Sequence, residues 1–584
     1  MASRRPDGRY DVALDDAAIE AAVVAASQRN NLLPPRPDDG VGGQVGKRFS
    51  AALSRALKDG RYEPTRAQFV AVPKNVNATR PAALLTLEDR VVFHALVGKL
   101  RARIQAELLS PDIVMWPRGP VSPKRWNEFE EFGREGTHSH VIRCDISAFY
   151  DSIPHQQLGD TLVSMTGYTD VVEALVDFLS RTMSATKGIP QGPEASDPLA
   201  TAYLSAIDQD VVRAGIDYVR HGDDIRIRCN TFSDVRRSLH ELEQSVRRNG
   251  LVLSSHKTIV MRTETYARSF TVVPNEIAEA ESRAKEEYLS SVSSGEDDLE
   301  KALDEAGLDE VGWQLLYHHT IDIGEAIEQL RAVIKPSAVR VAETLLRDVL
   351  ARQPGEANEL DSEVFHALVS KALISMSAGK SIAAVPMSLK LLLRFPDKTE
   401  LVSQYLIAAS QTDPDAVVSV IKEFLDSVTY KTGWELAWCL RILVAGDVDA
   451  TGLETDIQRI AADETMHWIA RVEAARVLGR LGRLSPDVAR RLWSRAPTVF
   501  RGDLIAAAAA MPLSPWTEAF LASARSDRVH AVVIGHSNRE QKHREQAAKR
   551  EPTKGQGAID AVLERMAQLQ KSERAQRRRN PKGG

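Results

Sequence analysis

Cysteine is nearly absent: the chain has three in 584 residues, Cys144, Cys229 and Cys439. They lack the paired spacing of a zinc site and are too few for a disulfide framework, which excludes a stapled secreted scaffold and suits a reducing, cytoplasmic setting. Long hydrophobic runs are missing as well. The longest, around residues 504–513, is too short to cross a bilayer, so no membrane contact is expected. The first ten residues hold no apolar core, so no secretory leader is expected in them. Nor is there the basic excess of a general nucleic-acid coat, because the net charge is −5. Aromatics are sparse at 6%.

What remains is an ordinary globular composition, 43% hydrophobic and 27% charged, on a chain long enough for roughly two to four domains. The charge is unevenly spread. Residues 276–310 carry 3 basic and 13 acidic side chains, whereas residues 536–584 carry 13 basic and 6 acidic. An acidic linker and a basic arm able to touch nucleic acid fit that asymmetry.

The chemistry-bearing stretch is His221-Gly222-Asp223-Asp224, set between the apolar runs 216–219 and 225–229. Alternation in Ile225-Arg226-Ile227-Arg228-Cys229 reads as a half-buried strand, which makes the four residues a hairpin turn. Two adjacent carboxylates at a turn repel each other, and a divalent cation removes that cost. A third carboxylate, Asp145, ends the apolar strand expected over residues 138–146. Strand alternation sets it on the face of Val141 and Arg143, away from Ile142, Cys144 and Ile146. Two Mg²⁺ ions about 3.5–4 Å apart, held by such aspartates, are a common device for in-line nucleotidyl transfer. Any one of these aspartates alone would read as a turn residue. Between them, however, stands Gly188-Ile189-Pro190-Gln191-Gly192, followed by Ser196 and Leu199.

Taken in order, Asp145, the Gly-x-Pro-Gln-Gly stretch and Asp223-Asp224 resemble motifs A, B and C of the reverse transcriptases. The resemblance covers roughly residues 60–260. It implies an α+β fold, a right-hand polymerase with fingers and palm and no clear thumb, and an RNA-directed DNA polymerase activity. It implies catalytic roles for Asp145, Asp223, Asp224 and the motif D lysine Lys257. The implied metal set is Asp145, Ile146, Asp223 and Asp224, with two Mg²⁺ ions or Mn²⁺ in their place. Lys74 and Arg80 on a fingers hairpin would hold the triphosphate. Tyr150 would exclude a 2′-hydroxyl, and Gln191 would stand near the incoming sugar. Deoxynucleotides, a DNA product and an RNA template are the implied partners. His221 departs from the family, which has Tyr at this place beside the growing 3′ end.

Coarse periodicity places helices at residues 11–28, 45–57, 87–105, 156–166, 171–182, 196–214 and 233–249. Strands are expected at residues 69–72 and 80–85, a closing palm strand in the motif D stretch 251–258, and a further strand-like run at 266–273. Residues 110–132 give little signal. From 313 to about 522 nearly every segment is helix-periodic, and 466–482 looks HEAT-like, so an α-helical repeat array follows the polymerase. The expected organisation is therefore fingers and palm over 1–275, an acidic linker over 276–312, an all-α HEAT-like repeat domain over 313–525 and a basic tail over 526–584.

A thumbless palm joined to such an array resembles the abortive-infection class of bacterial antiphage enzymes, the AbiA and AbiK type. In that class protein-primed, untemplated DNA synthesis occurs and oligomers form. The candidate primer hydroxyls outside the palm are Tyr288, Tyr317, Tyr405 and Tyr430. Two other readings stay open: a templated enzyme working with a dedicated non-coding RNA, as in retrons, and a non-catalytic nucleic-acid sensor.

Overall fold

The computed structural model describes residues 9–534 except 29–31, 42, 76, 116–122, 135, 293–336, 353–361, 447, 526, 528 and 530. The basic tail beyond residue 534, the acidic stretch from residue 293 onward, the 312/313 boundary and Tyr317 lie outside the described residues.

The N-terminal half opens with α1 (Arg9–Ala13), α2 (Asp16–Ala26) and α3 (Gly43–Lys58). The single helix expected over 11–28 is two, because Asp15 caps α2 by accepting from Ala18 N at 2.8 Å. An antiparallel hairpin follows, β1 (Gln68–Pro73) and β2 (Thr79–Leu84), with Val72 opposite Arg80. Thr86 caps the long α4 (Leu87–Glu107), which runs through the core. The low-signal stretch contains α5 (Pro123–Glu131). Next come β3 (His140–Cys144), α6 (Phe149–Ser152), α7 (His155–Thr166), α8 (Thr169–Thr182) and α9 (Ser196–Arg213). The hairpin β4 (Asp217–His221) and β5 (Asp224–Cys229), the helix α10 (Phe232–Arg248) and β6 (Ile259–Arg262) complete an antiparallel sheet of order β4-β5-β3-β6. Its helix-facing side, with Ile142, Cys144, Ile225 and Ile227, shares one core with α4, α7, α8 and α9.

Two strand expectations are corrected. The closing strand is β6, displaced from the motif D stretch, where Leu253 makes an isolated bridge to Ile146 and Ser255–Lys257 form a turn. Residues 266–273 are helical, part of α11 (Thr263–Val292). Their β-branched residues suggested a strand, yet Tyr266 and Phe270 are four apart and stack edge-on at 5.0 Å. Tyr266 is buried and its hydroxyl donates to Glu130 O at 2.7 Å, so tertiary packing overrides local propensity. The helix continues through residue 276 with Pro274 inside it.

Beyond residue 337 the described chain is largely helical: α12 (Ala338–Ala351), α13 (Ser362–Ala378), α14 (Val385–Arg394), α15 (Thr399–Ala409), α16 (Pro414–Asp426), α17 (Gly433–Ala445), α18 (Glu454–Ala462), α19 (Trp468–Arg480), α20 (Pro486–Arg495), α21 (Thr498–Ala509) and α22 (Pro515–Ala524). Alternate helices pack on each other: α13 on α15, α15 on α17, α17 on α19 and α19 on α21, with α14 on α16 alongside. At the α19–α21 crossing a Cβ on Gly479 would stand 2.2 Å from Ala507 O, so only glycine lets the two backbones approach. No helix among the described residues is long and apolar enough to cross a membrane.

Among the described residues this helical region meets the N-terminal half along two main seams, besides the Arg143–Glu363 ion pair (3.5 Å) and Val532, which joins the N-terminal half's core. At one, α12 and α13 pack on α11, with ion pairs Arg283–Asp348 (2.8 Å) and Arg347–Glu287 (2.9 Å). At the other, Trp434 Nε1 donates to Leu32 O (2.7 Å) and His467 Nε2 lies 3.0 Å from Phe69 O. Val70, Val72, Ala82 and Leu84 of the hairpin belong to the helical region's hydrophobic core. Beside them Arg36 is buried between Asp38 (3.3 Å) and Asp503 of α21 (2.9 Å), while Arg90 of α4 holds Asp38 at 2.7 Å. Removing one partner from a buried pair strands the other charge. Asp503→Ala is expected to lower unfolding free energy by about 3 kcal/mol, at the lower end for buried pairs because Asp38 remains. Denaturant titration checks this, and a loss below about 0.5 kcal/mol would show that the pair is unimportant to the junction.

Candidate active site

The register of the sheet assembles the carboxylates. Cys144 pairs with Ile225 across β3 and β5, so the next step sets Asp145 beside Asp224. His221 pairs with Asp224 across β4 and β5, leaving Gly222 and Asp223 as a two-residue turn. Gly222 has φ +64°, a left-handed conformation that a Cβ disfavours. Asp223 and Asp145 are within hydrogen-bonding reach of each other. Burial first, then the neighbouring Asp145 and Asp224 charges, push the Asp223 carboxyl up to about 7. Burial raises Asp224 too, opposed by Arg226.

Lys257, from the turn after α10, places Nζ 2.5 Å from Asp145 Oδ2. Burial pulls its ammonium down, but Asp145, with Asp224 and Asp223 behind it, more than offsets this and leaves its pKa raised. Arg80 is half-buried near the same turn. Burial lowers its pKa while the Asp223 carboxylate opposes, and its Nε is buried with no hydrogen-bond partner. A guanidinium beside a carboxylate turn is suited to meet an anion through its terminal nitrogens.

The other expected residues form a second group. Tyr150 follows a kink at Ala148, whose φ of +45° is strained for a residue with a Cβ, and its hydroxyl donates to Asp197 Oδ1 at 2.8 Å. Gln191 Nε2 donates to Asp151 Oδ2 at 3.3 Å rather than reaching the three carboxylates, and its backbone carbonyl accepts from Ala83 N of β2 at 3.0 Å. Lys74 is exposed, and its charge acts on Asp151 together with that of Lys187. Ile146 has its side chain buried in the core, so only its backbone could serve a metal.

Sequence reasoning missed the supports beneath the turn. Arg220 is fully buried and grips Asp208 of α9 with two bonds of 2.7 Å, while Tyr218 donates to the same carboxylate at 2.7 Å. Arg220 also donates to Gly222 O and Thr201 O, each at 3.2 Å. His221, in the place of the family's Tyr, stands edge-on to Trp126 of α5 at 5.0 Å, and Arg226 lies over Phe129 at 4.6 Å. The only signal for these was an arginine at a position that strand alternation buries.

Three carboxylates and no soft ligands make a donor set whose chemistry suits a hard divalent cation such as Mg²⁺ or Mn²⁺. Among the described residues no three His, Cys, Asp or Glu side chains are grouped so that they could hold a metal ion, and Lys257 supplies the positive charge beside Asp145. The donor types fit such a cation, and the side chains as placed do not close around one.

Residues 72–287 match the family model described as Reverse transcriptase (RNA-dependent DNA polymerase). This segment is a reverse transcriptase domain. Such a domain is that of an RNA-directed DNA polymerase, a nucleotidyltransferase that takes nucleotide substrates and works on nucleic acid. None of the curated proteins matches the chain. The match begins at Val72, inside β1, and ends within α11, so the reverse transcriptase domain includes most of the hairpin that shares the helical region's core.

Because Arg220 has no exposure, loss of its partner leaves a charge with no route to water. Asp208→Ala is expected to lower unfolding free energy by about 3–5 kcal/mol. Urea titration measures it, and a loss below about 1 kcal/mol would mean that Arg220 finds another anion.

Proposed function

We propose that the reverse transcriptase domain polymerises deoxynucleotides at Asp145, Asp223 and Asp224. The observation that carries this is the convergence of three carboxylates at one end of the central strands, with Arg80 and Lys257 at its border. Asp145, Asp223, Asp224 and the backbone of Ile146 would hold two divalent cations. Those ions would supply activation of the attacking hydroxyl and charge neutralisation on the phosphates. Arg80 and Lys74 hold the triphosphate. Lys257, kept charged by the aspartates, carries the proton that the leaving pyrophosphate needs. Tyr150 closes the sugar side against a 2′-hydroxyl, and Gln191 with Asp151 bounds that side. The hairpin and sheet serve as fingers and palm. The check is Asp223→Ala with Asp224→Ala, expected to abolish Mg²⁺- or Mn²⁺-dependent incorporation of labelled deoxynucleotide. Full activity in that double variant would sink the assignment.

The biological setting we infer is antiphage defence of the abortive-infection type. Its support is the pairing of this domain with alternately stacked helices, which we read as a HEAT-like repeat array able to hold nucleic acid product or a second copy of the chain. Priming by the protein itself has one specific observation in its favour. Tyr405 is fully buried with its hydroxyl accepting from Ala384 N at 3.0 Å, and Tyr288 is buried, whereas Tyr430 is 86% exposed in the loop before α17. Denaturing electrophoresis after incubation with labelled deoxynucleotide should show label that survives boiling, disappears on protease treatment and is absent from Tyr430→Phe. Label found only on free DNA excludes priming by the protein.

A further inference from the structure

Bordering a cavity shared by the gate proposed at Tyr150 and the carboxylate turn is a half-buried acid that the reaction as described does not use. Asp197 stands in the first turn of α9, where a carboxylate pointing outward would serve the helix dipole. It points inward instead and accepts from the Tyr150 hydroxyl at 2.8 Å. Burial pushes its carboxyl up to about 7, opposed by the Tyr150 bond, so the group sits in its place at a cost that a surface acid would not bear. Tyr150, Asp197, Ala200, Thr201, Gly222 and Asp223 border one cavity of about 10 Å³, the room of a single water. The Tyr150 ring is thus tied at both ends. Its Cα follows the strained Ala148, and its hydroxyl is anchored on another helix, while the water-sized cavity that borders the ring leaves an unanchored ring room to shift.

We propose that Asp197 is a positioning residue for sugar selection: by anchoring the Tyr150 hydroxyl it holds the ring against the turn, where the ring excludes a 2′-hydroxyl. This rests on the reading of Tyr150 as the gate. Without the acceptor the ring still packs but yields to a ribonucleotide, so selection weakens while polymerisation persists in kind.

The experiment is single-nucleotide incorporation by the full chain, with kcat and KM measured for a deoxynucleoside triphosphate and its ribonucleotide counterpart. The readout is the ratio of the two kcat/KM values, which cancels any general loss of activity. Asp197→Leu removes the acceptor at similar volume, and the ratio should fall roughly tenfold, the worth of one hydrogen bond to a charged group, mainly through a lower ribonucleotide KM. Asp197→Asn keeps an acceptor and should hold the ratio within about twofold of the parent. Tyr150→Phe removes the donor of the same bond and should match Asp197→Leu, and the two combined should fall no further than either alone. An unchanged ratio in Asp197→Leu, with Tyr150→Ala lowering it, rejects the positioning role and leaves the gate standing. An unchanged ratio in Tyr150→Ala rejects the gate and the positioning role together. Should Asp197→Leu fail to fold, Tyr150→Phe against Asp197→Asn decides, because a parent-like ratio in Tyr150→Phe is then sufficient to overturn the proposal.

Discussion

Holding like charges together is the constraint on which the site depends. Three carboxylates on two strands and a turn repel one another, and that repulsion adds to burial in raising the Asp223 carboxyl. A loose turn would relieve the repulsion by swinging Asp223 into water. Here it does not swing, because Arg220 binds the turn's own carbonyl at Gly222 while its remaining donors are locked on Asp208 and Thr201 of α9. Burying a guanidinium is costly unless its donors are satisfied, so the pair acts less as a source of stability than as a pin that permits one geometry. The positive charges nearer the acids are of another kind. Lys257 reaches Asp145 from a largely exposed position and can leave it; Arg220 cannot leave Asp208.

Most of the reverse transcriptase domain was legible because its elements have strong local signals. The alternation of β5, the long apolar helices α4 and α9 and the Gly222 turn each follow from residues close in sequence, and register then brings Asp145 to Asp223 and Asp224. What was not legible depends on partners far apart. Tyr266 and Phe270 sit in a run rich in Thr and Val that favours a strand, and only their packing against the α5 segment makes it helix. The residues 110–132 have no periodicity to read, yet Trp126 and Phe129 come to flank His221 and Arg226. Asp197 follows the Gly-x-Pro-Gln-Gly stretch closely in sequence, but its inward turn to Tyr150 is a matter of tertiary geometry.

The junction between the two halves shows the same limit from another side. Charge and composition place a boundary near residue 275, where the acidic stretch begins. The hydrophobic cores divide elsewhere: the hairpin carrying Arg80 is covalently part of the reverse transcriptase domain and is packed into the core of the helical region. Domain division by sequence follows the chain, whereas cores follow apolar faces, and β1 has two faces to satisfy. Val70 and Val72 point to the helical region while Phe69 and Ala71, which alternate with them, are exposed.

That arrangement bears on how the site can move. A hairpin standing alone could close over a bound triphosphate by bending at its base. One whose face is buried under α17, and whose neighbouring loop is fixed through Trp434 and the Arg36–Asp503 pair, must carry those helices with it or stay in place. Close-packed interiors do not deform smoothly, so the cost of independent motion is the loss of that packing. Arg80 therefore meets the carboxylate turn in a geometry set from two directions, by the strand pairing of β2 and by the helices behind β1. Whatever displaces the helical region displaces the proposed triphosphate grip with it.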